Sequence, residues 1–280
     1  MSQNKAVITA GTRGIGAEVA QELARRGYAV TIVGRDPEHG EQTARRIGGA
    51  RFLQADLSVL AEVRALGERL AAEGPLQLLV NNVGGMWSER WETADGIEAS
   101  FAVNHLSPTV LTEALLDALR AGAPSRVVDV TSSSISTIPG TPTYDDVEPD
   151  EYYGMAVSGR AKLAHLAYSL DLADRLRGTG VSVFAADPGA AATPNAAEMT
   201  PEILPPAFRP HWDAIQGALG PASDAARSIV FAATDASLND RTGIVLDPGC
   251  APSDALTSGI TPDLLAASQA LTERVLKATL

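Results

Sequence analysis

Lys162 lies near the middle of a stretch, Asp150 to Arg177, whose spacing predicts one long helix. Acids open it (Asp150, Glu151), apolar residues recur every three or four positions, and Arg175 and Arg177 precede Gly178. The chain has three lysines, and the other two, Lys5 and Lys277, sit close to the ends. Ser158 stands one helical turn before Lys162, so the two side chains share a face. A hydroxyl and an ammonium so paired can hydrogen-bond an oxygen that gains negative charge. A solvated helix lysine is the alternative reading. Two further groups could take part in such chemistry. Serines 132–134 follow an apolar strand, Arg126 to Val130. A glycine-rich turn, Ala10-Gly11-Thr12-Arg13-Gly14-Ile15-Gly16, joins the strand Lys5–Thr9 to a helix that Gly27 closes. Backbone N–H groups at such a helix start can hold a pyrophosphate; a plain structural turn would also explain the glycines.

These motifs, with Asn81-Asn82-Val83-Gly84 after another apolar strand, resemble those of the short-chain dehydrogenase/reductase family. The turn is similar to that family's T-G-x-x-x-G-x-G, with Ala10 at the first glycine position. Val83 replaces the alanine of Asn-Asn-Ala-Gly. The family's Tyr-x-x-x-Lys is matched at Lys162 but not at Ser158. The resemblance covers nearly the whole chain. It implies that Gly11, Thr12, Arg13, Gly14, Ile15, Gly16, Asn82, Val83 and Gly84 contact a dinucleotide, with Asp56 and Leu57 at its adenine. It also implies that Lys162 binds the nicotinamide ribose and that Pro188, Gly189, Ala191 and Thr193 border the nicotinamide. Asn104, Ser132 and Lys162 match catalytic positions, with Ser132 orienting the substrate; Ser158 is the remaining candidate.

The second strand ends at Gly34-Arg35-Asp36. An acid there binds the ribose 2′-OH of NAD, whereas an arginine favours the 2′-phosphate of NADP. Arg35 with Arg13 can clamp that phosphate. Asp36 argues the other way; NADP(H) is the expected cofactor.

Strands near 5–9, 28–33, 51–55, 76–80, 126–130, 181–185 and 243–247 alternate with helical segments. This predicts an α/β fold, a doubly wound Rossmann-type parallel sheet in a single domain spanning 1–280, with ligands beyond the carboxyl ends of the strands. Residues 194–220, rich in proline, break the pattern. By resemblance they form a substrate lid, with Phe208, His211 and Trp212 able to face the ligand. Trp87 and Trp91 either line a pocket for a planar substrate or simply pack. His105, about 100° around the helix from Asn104, is read as a core or supporting residue. The connection from Ile135 to Pro149, with Asp145, Asp146 and Glu148, is either a mobile functional loop or a solvated acidic one.

The tyrosine's absence bears on mechanism. A positioned general acid contributes roughly 10²–10⁴-fold. A serine hydroxyl is much less acidic than a phenol and reaches about 4 Å less far from the helix. Ser158 is therefore a poor replacement, and a small packing residue is the stronger reading. Tyr153 and Tyr152 would point away from Lys162 on an ideal helix, which leaves Tyr144 as the tyrosine to test. The expectation is a reaction in which Ser132 and Lys162, with water held by Asn104, stabilise the reduced oxygen. Its proton then comes from water or a substrate hydroxyl. That favours an activated ketone on an aromatic or polycyclic polyketide. The tyrosine-lacking pattern and long acidic loop also resemble atypical ketoreductases of angucyclinone antibiotic biosynthesis. The rival is an inactive NADP(H)-binding sensor or regulatory subunit.

Composition bounds these readings. The chain has 280 residues, 45% hydrophobic, enough for one substantial core. A net charge of −12 argues against nucleic acid or an anionic membrane as partner. A single cysteine, Cys250, excludes an intrachain disulfide and fits a reducing cytoplasm. No leader and no membrane span is expected, and the histidines and acids follow no metal-ligand spacing.

Overall fold

The computed structural model describes residues 3–138, 140–148 and 151–280. Seven strands, β1 (Lys5–Ile8), β2 (Ala29–Gly34), β3 (Arg51–Gln54), β4 (Leu78–Asn81), β5 (Ser125–Val130), β6 (Val181–Ala186) and β7 (Ile244–Leu246), form one sheet. Their order is β3-β2-β1-β4-β5-β6-β7, and every pairing is parallel. The strands are short and almost uniformly apolar because helices cover both faces. One layer holds α1 (Gly14–Arg25) and α9 (Ala222–Thr234), packed on Ile8, Ile32, Val80, Val128 and Val130. The other holds α3 (Leu60–Ala72), α5 (Ser107–Ala121) and α6 (Gly154–Arg175), packed on Val7, Leu79 and Val127. This is the doubly wound Rossmann-type architecture that the alternation of strands and helices predicts.

Three local features position the site. The short α4 (Ala99–Phe101) runs through a π-helical turn, Ala102–Leu106, into α5. The wider turn bulges the helix at Asn104, a distortion frequent where a side chain must be re-aimed. The buried Glu98 carboxylate caps this element, accepting from the backbone N–H of Ser100 (2.7 Å) and Phe101 (2.8 Å). Second, α6 begins at Gly154 with Tyr153 as its N-cap, later than the predicted start. Glu151, Tyr152 and Tyr153 precede the helix, so ideal-helix angles do not apply to them, while Pro139, Pro149 and Asp150 lie outside the described residues. Gly154 allows close approach here, because a Cβ would sit 1.8 Å from the Trp87 carbonyl oxygen.

Third, residues 140–148 are pinned rather than mobile. The buried Arg160 guanidinium donates to the carbonyls of Thr143, Asp146 and Val147 and lies over the Tyr144 ring at 4.6 Å. Arg90 pairs with Glu148, and Arg274 of α10 (Pro262–Thr279) donates to the Asp145 carbonyl. Asp145, Asp146 and Glu148 keep their carboxylates on the outside. Residues 194–220 form α7 (Pro194–Ala197), two 3₁₀ turns (Pro201–Ile203, Pro206–His211) and α8 (Trp212–Gly217). Among the described residues no helix is long and apolar enough to cross a membrane, and no acid, histidine and cysteine cluster could hold a metal.

Candidate active site

A cavity of about 400 Å³ opens beyond the carboxyl ends of β1, β2, β3 and β4. Its floor is the turn between β1 and α1. Gly16 must be glycine, since a Cβ would lie 2.5 Å from both the Ala10 oxygen and Asn82 Nδ2. Asn82 braces the turn, donating to the carbonyls of Thr9 (3.1 Å) and Ala10 (3.3 Å), while the Val83 N–H donates to Thr9 Oγ1 (2.9 Å). Gly14 takes φ +54°, and Ala10 takes φ +49°, a left-handed conformation that a side chain disfavours. The α1 N-cap, Arg13, offers no side-chain acceptor to the helix. Its N-terminus and positive dipole are therefore free for an anionic group.

Arg13 and Arg35 both line this cavity, and neither forms an ion pair among the described residues. Asp36 is engaged elsewhere. One carboxylate oxygen accepts from the His39 N–H at 3.1 Å and the other meets His39 Nδ1 at 2.8 Å, which caps α2 (Pro37–Arg46) and lowers the carboxyl pKa. The donor set and the glycine cradle thus fit a phosphorylated dinucleotide, and Asp36, the residue that argued for NAD, is occupied with its own helix. Asp56 and Leu57 also line the cavity, with Asp56 Oδ1 accepting from Ser58 N–H (2.9 Å) and Oγ (2.7 Å). On the far wall are Thr193, which caps α7, and Asn195. Pro188, Gly189 and Ala191 do not line the cavity; Gly189 turns the chain at φ +71° with its N–H on Asp187 Oδ1.

Behind Gly84 and Gly85 the structure brings three of the predicted catalytic residues together, Asn104, Ser158 and Lys162; neither they nor Ser132 line the cavity. A Cβ on Gly84 would meet Asn104 Oδ1 at 2.9 Å and Lys162 Nζ at 3.1 Å. Asn104 is fully buried. Its carbonyl accepts from the Gly85 N–H (2.8 Å), and its amide donates to the Gly85 carbonyl (2.8 Å) and Ser158 Oγ (3.2 Å). Its amide is therefore engaged with a peptide group, where the sequence reading had it hold water. Ser158, 2% exposed, donates to the same Gly85 carbonyl at 3.2 Å. Lys162 Nζ donates to the Val130 carbonyl at 2.7 Å. Burial pushes its pKa down to about 8, and the Asp129 carboxylate opposes that fall. Ser132 is half-buried at the end of β5, and its oxygen accepts from the Ser134 N–H (3.1 Å). Its hydroxyl proton has no acceptor among the described residues.

Among the described residues no tyrosine lines the cavity. Tyr144 is buried beneath the 140–148 loop, donates to the Arg160 carbonyl at 2.9 Å, and has its pKa raised by burial. Held there, the one tyrosine that the sequence leaves to test does not line the cavity. Tyr152 donates to the Glu89 carbonyl at 3.3 Å. His105 packs among Phe101 and His165, as its place on the helix predicts, and burial drives its pKa well down. Phe208 and His211 are exposed, and neither they nor Trp212 line the cavity, contrary to expectation. Trp87 and Trp91 do line it, edge to face at 5.4 Å. Three residues escaped sequence reasoning. Asn195 donates to the Met86 carbonyl (3.2 Å) and accepts from its N–H (3.4 Å), joining the two walls of the cleft. Its only signal was its place two residues after Thr193. Asp129 and His165 meet beneath Lys162; the signal there was an acid inside the apolar strand Arg126–Val130.

Comparison with known proteins agrees with this geometry. Residues 4–203 match the model of the short chain dehydrogenase family. Over 191 residues the chain is 42% identical to retinol dehydrogenase 12 of Mus musculus, a match covering 65% of this chain and 60% of that protein. Among solved structures, an uncharacterized protein from Mycobacterium paratuberculosis superposes with TM-score 0.76 at 28% identity, covering 99% of this chain and 94% of the other. The Pseudomonas aeruginosa RhlG/NADP active-site complex does so with TM-score 0.69 at 27% identity, covering 88% and 95%. From the glycine turn to the lysine of α6, in sequence and in fold, the chain belongs to the short-chain dehydrogenase family.

Proposed function

We propose that this protein is an NADPH-dependent ketoreductase that reduces a carbonyl on an aromatic or polycyclic polyketide to a hydroxyl. The observations that carry the reading are a buried lysine packed behind Gly84 of the cleft and, at the end of β5, a serine hydroxyl without an acceptor; among the described residues no tyrosine lines the cleft. Arg13 and Arg35 would hold the 2′-phosphate, the α1 N-terminus the pyrophosphate, and Asp56 with Leu57 the adenine end. The relative named RhlG is an NADP complex, which supports NADP(H) here. NADPH held there would supply the hydride that the carbonyl carbon takes up. Ser132 donates its free hydroxyl proton as a hydrogen bond to the carbonyl oxygen, and Lys162 places positive charge on the same side. Asn104 fixes the Gly85 peptide and so the wall between them.

Ser158 plays no proton-transfer part in this scheme, because its hydroxyl already donates to Gly85. The proton that completes the alcohol comes from water or from a phenolic hydroxyl beside the ketone. A ketone so activated is the substrate class we favour, and the tyrosine-lacking pattern resembles the atypical ketoreductase of simocyclinone, an angucyclinone antibiotic. The retinol dehydrogenase relatives act on a different alcohol by name, and the match spans 60% of the mouse protein.

Incubation with NADPH and a polycyclic aromatic ketone tests the proposal. NADPH oxidation with formation of the secondary alcohol is expected, with Ser132→Ala slower by roughly 10²–10³-fold, as for removal of one oxyanion donor. Ser158→Ala should stay within about threefold of wild type, since no transition-state contact is lost. A Ser158→Ala loss as large as that of Ser132→Ala would make Ser158 the acid. Tight NADPH binding with no turnover on any ketone would favour a cofactor-binding regulatory subunit instead.

A further inference from the structure

Directly beneath Lys162 lies a polar cluster that the reaction scheme above does not use. Residues 162, 165 and 169 share one face of α6, and that face looks onto the end of β5. Side chains alternate along β5: Val128 and Val130 enter the α1/α9 layer, whereas Val127 and Asp129 enter the α6 layer. Asp129 is 1% exposed. Asn81 Nδ2 donates to its Oδ1 at 2.8 Å and Ser169 Oγ to its Oδ2 at 2.6 Å. His165 Nε2 lies 3.3 Å from Oδ1 without the alignment of a hydrogen bond. Asn81 is itself oriented by Thr112 of α5 at 2.8 Å. A carboxylate held by donors from β4 and α6 is built to stay ionised, and its pKa is lowered although burial opposes this.

Lys162 is buried in the same layer with one acceptor among the described residues, the Val130 carbonyl. Val130 is the residue next to Asp129. A lone buried ammonium tends to lose its proton, and a fixed buried anion nearby restores it. Elements packed against α6 also carry His105 in the π-turn, Glu98 at its cap, Asp187 beyond β6, and Asp263, Glu273, Arg274 and Lys277 on α10, while α6 itself carries Arg160, His165, Tyr168, Asp171, Asp174 and Arg175. Of all these, Asp129 is the group whose field acts on Lys162.

We propose that Asp129 is a positioning residue that acts through Lys162: held by Asn81 and Ser169, it is the buried counter-charge that keeps the Lys162 ammonium protonated behind Gly84 of the cleft. The inference deepens the role given to Lys162, but its readout is the proton affinity of the ammonium, so it stands or falls apart from ketone reduction.

The chain's three lysines make the test direct. Protein labelled with ¹³Cε/¹⁵Nζ-lysine gives three side-chain signals, and Lys162→Met assigns the buried one. Titrated without cofactor or substrate, wild-type protein should show Lys162 charged at pH 7. Asp129→Asn should lower its proton affinity at least tenfold, moving its titration down by one pH unit or more while Lys5 and Lys277 stay fixed. A Lys162 titration unchanged in folded Asp129→Asn would overturn the proposal. Should Asp129→Asn fail to fold, the Asp129→Asn/Lys162→Met double variant decides. Recovery of folding is expected because both charges leave together; a double variant no more stable than Asp129→Asn would overturn it.

Discussion

Lys162 sits where burial and proton binding compete. Its folded-state pKa, about 8, lies below the 10.5 of an exposed lysine, so between those values the unfolded chain binds more protons. The resulting destabilisation is full below pH 8 and fades as pH rises through 10.5. Relative to Lys162→Met, the wild-type chain should therefore gain about 3 kcal/mol between pH 8 and 10.5. Denaturant melts of both proteins across that range check the sign, and a constant difference refutes it. Ala10 offers a second test. At φ +49° it adopts a conformation costing a non-glycine residue about 1 kcal/mol, so Ala10→Gly should stabilise the fold by roughly that amount in the same melts. Both residues could be picked out in the sequence, Ala10 as a departure from a glycine motif and Lys162 as an isolated lysine. Their energetics could not, because left-handed φ and desolvation belong to the folded backbone and its surroundings.

Among the elements, the linear pattern spoke most clearly for the strands and long helices, whose apolar periodicity survives any tertiary context. It failed at the edges. The start of α6 was read too early because acids at 150–151 mimic a helix first turn, whereas Tyr153 takes the N-cap and Gly154 abuts the Trp87 carbonyl. The connection from Ile135 to Pro149 reads in sequence as either a mobile functional loop or a solvated acidic one, because its prolines and acids suggest solvation; residues 140–148 are instead anchored. Its anchor, Arg160, comes from another element, and no local composition announces that. Removing the anchor is informative. Arg160→Met leaves the carbonyls of Thr143, Asp146 and Val147 without their donor and should cost about 2–4 kcal/mol. Limited proteolysis should then cut within 140–148 before the rest of the chain unfolds; resistance equal to wild type would show that the arginine is dispensable.

On the scale of the molecule, the parallel order β3-β2-β1-β4-β5-β6-β7 sends every ligand-facing loop to one end. This is why motifs spread over nearly 190 positions, from Ala10 to Glu198, converge on one cleft. The convergence is legible in the sequence, since strand–helix alternation dictates it; the burial of Ile203 and Leu204 while Phe208 faces outward is not. A chain of net charge −12 repels anions at long range, so a polyanionic cofactor depends on the two unpaired arginines of the cleft. Arg35→Ala should weaken NADPH binding by about ten- to a hundredfold and NADH binding by less than about threefold, as measured by calorimetry. Equal losses for both would mean that Arg35 does not touch the 2′-phosphate.

Asn195 holds the Met86 peptide by both its N–H and its carbonyl, two residues after Thr193 and one before Trp87. A molecule that draws Thr193 toward itself tugs this tether and, through it, the tryptophan side of the cleft. Occupancy on one bank would thereby be felt on the other, and by the same amount in either direction.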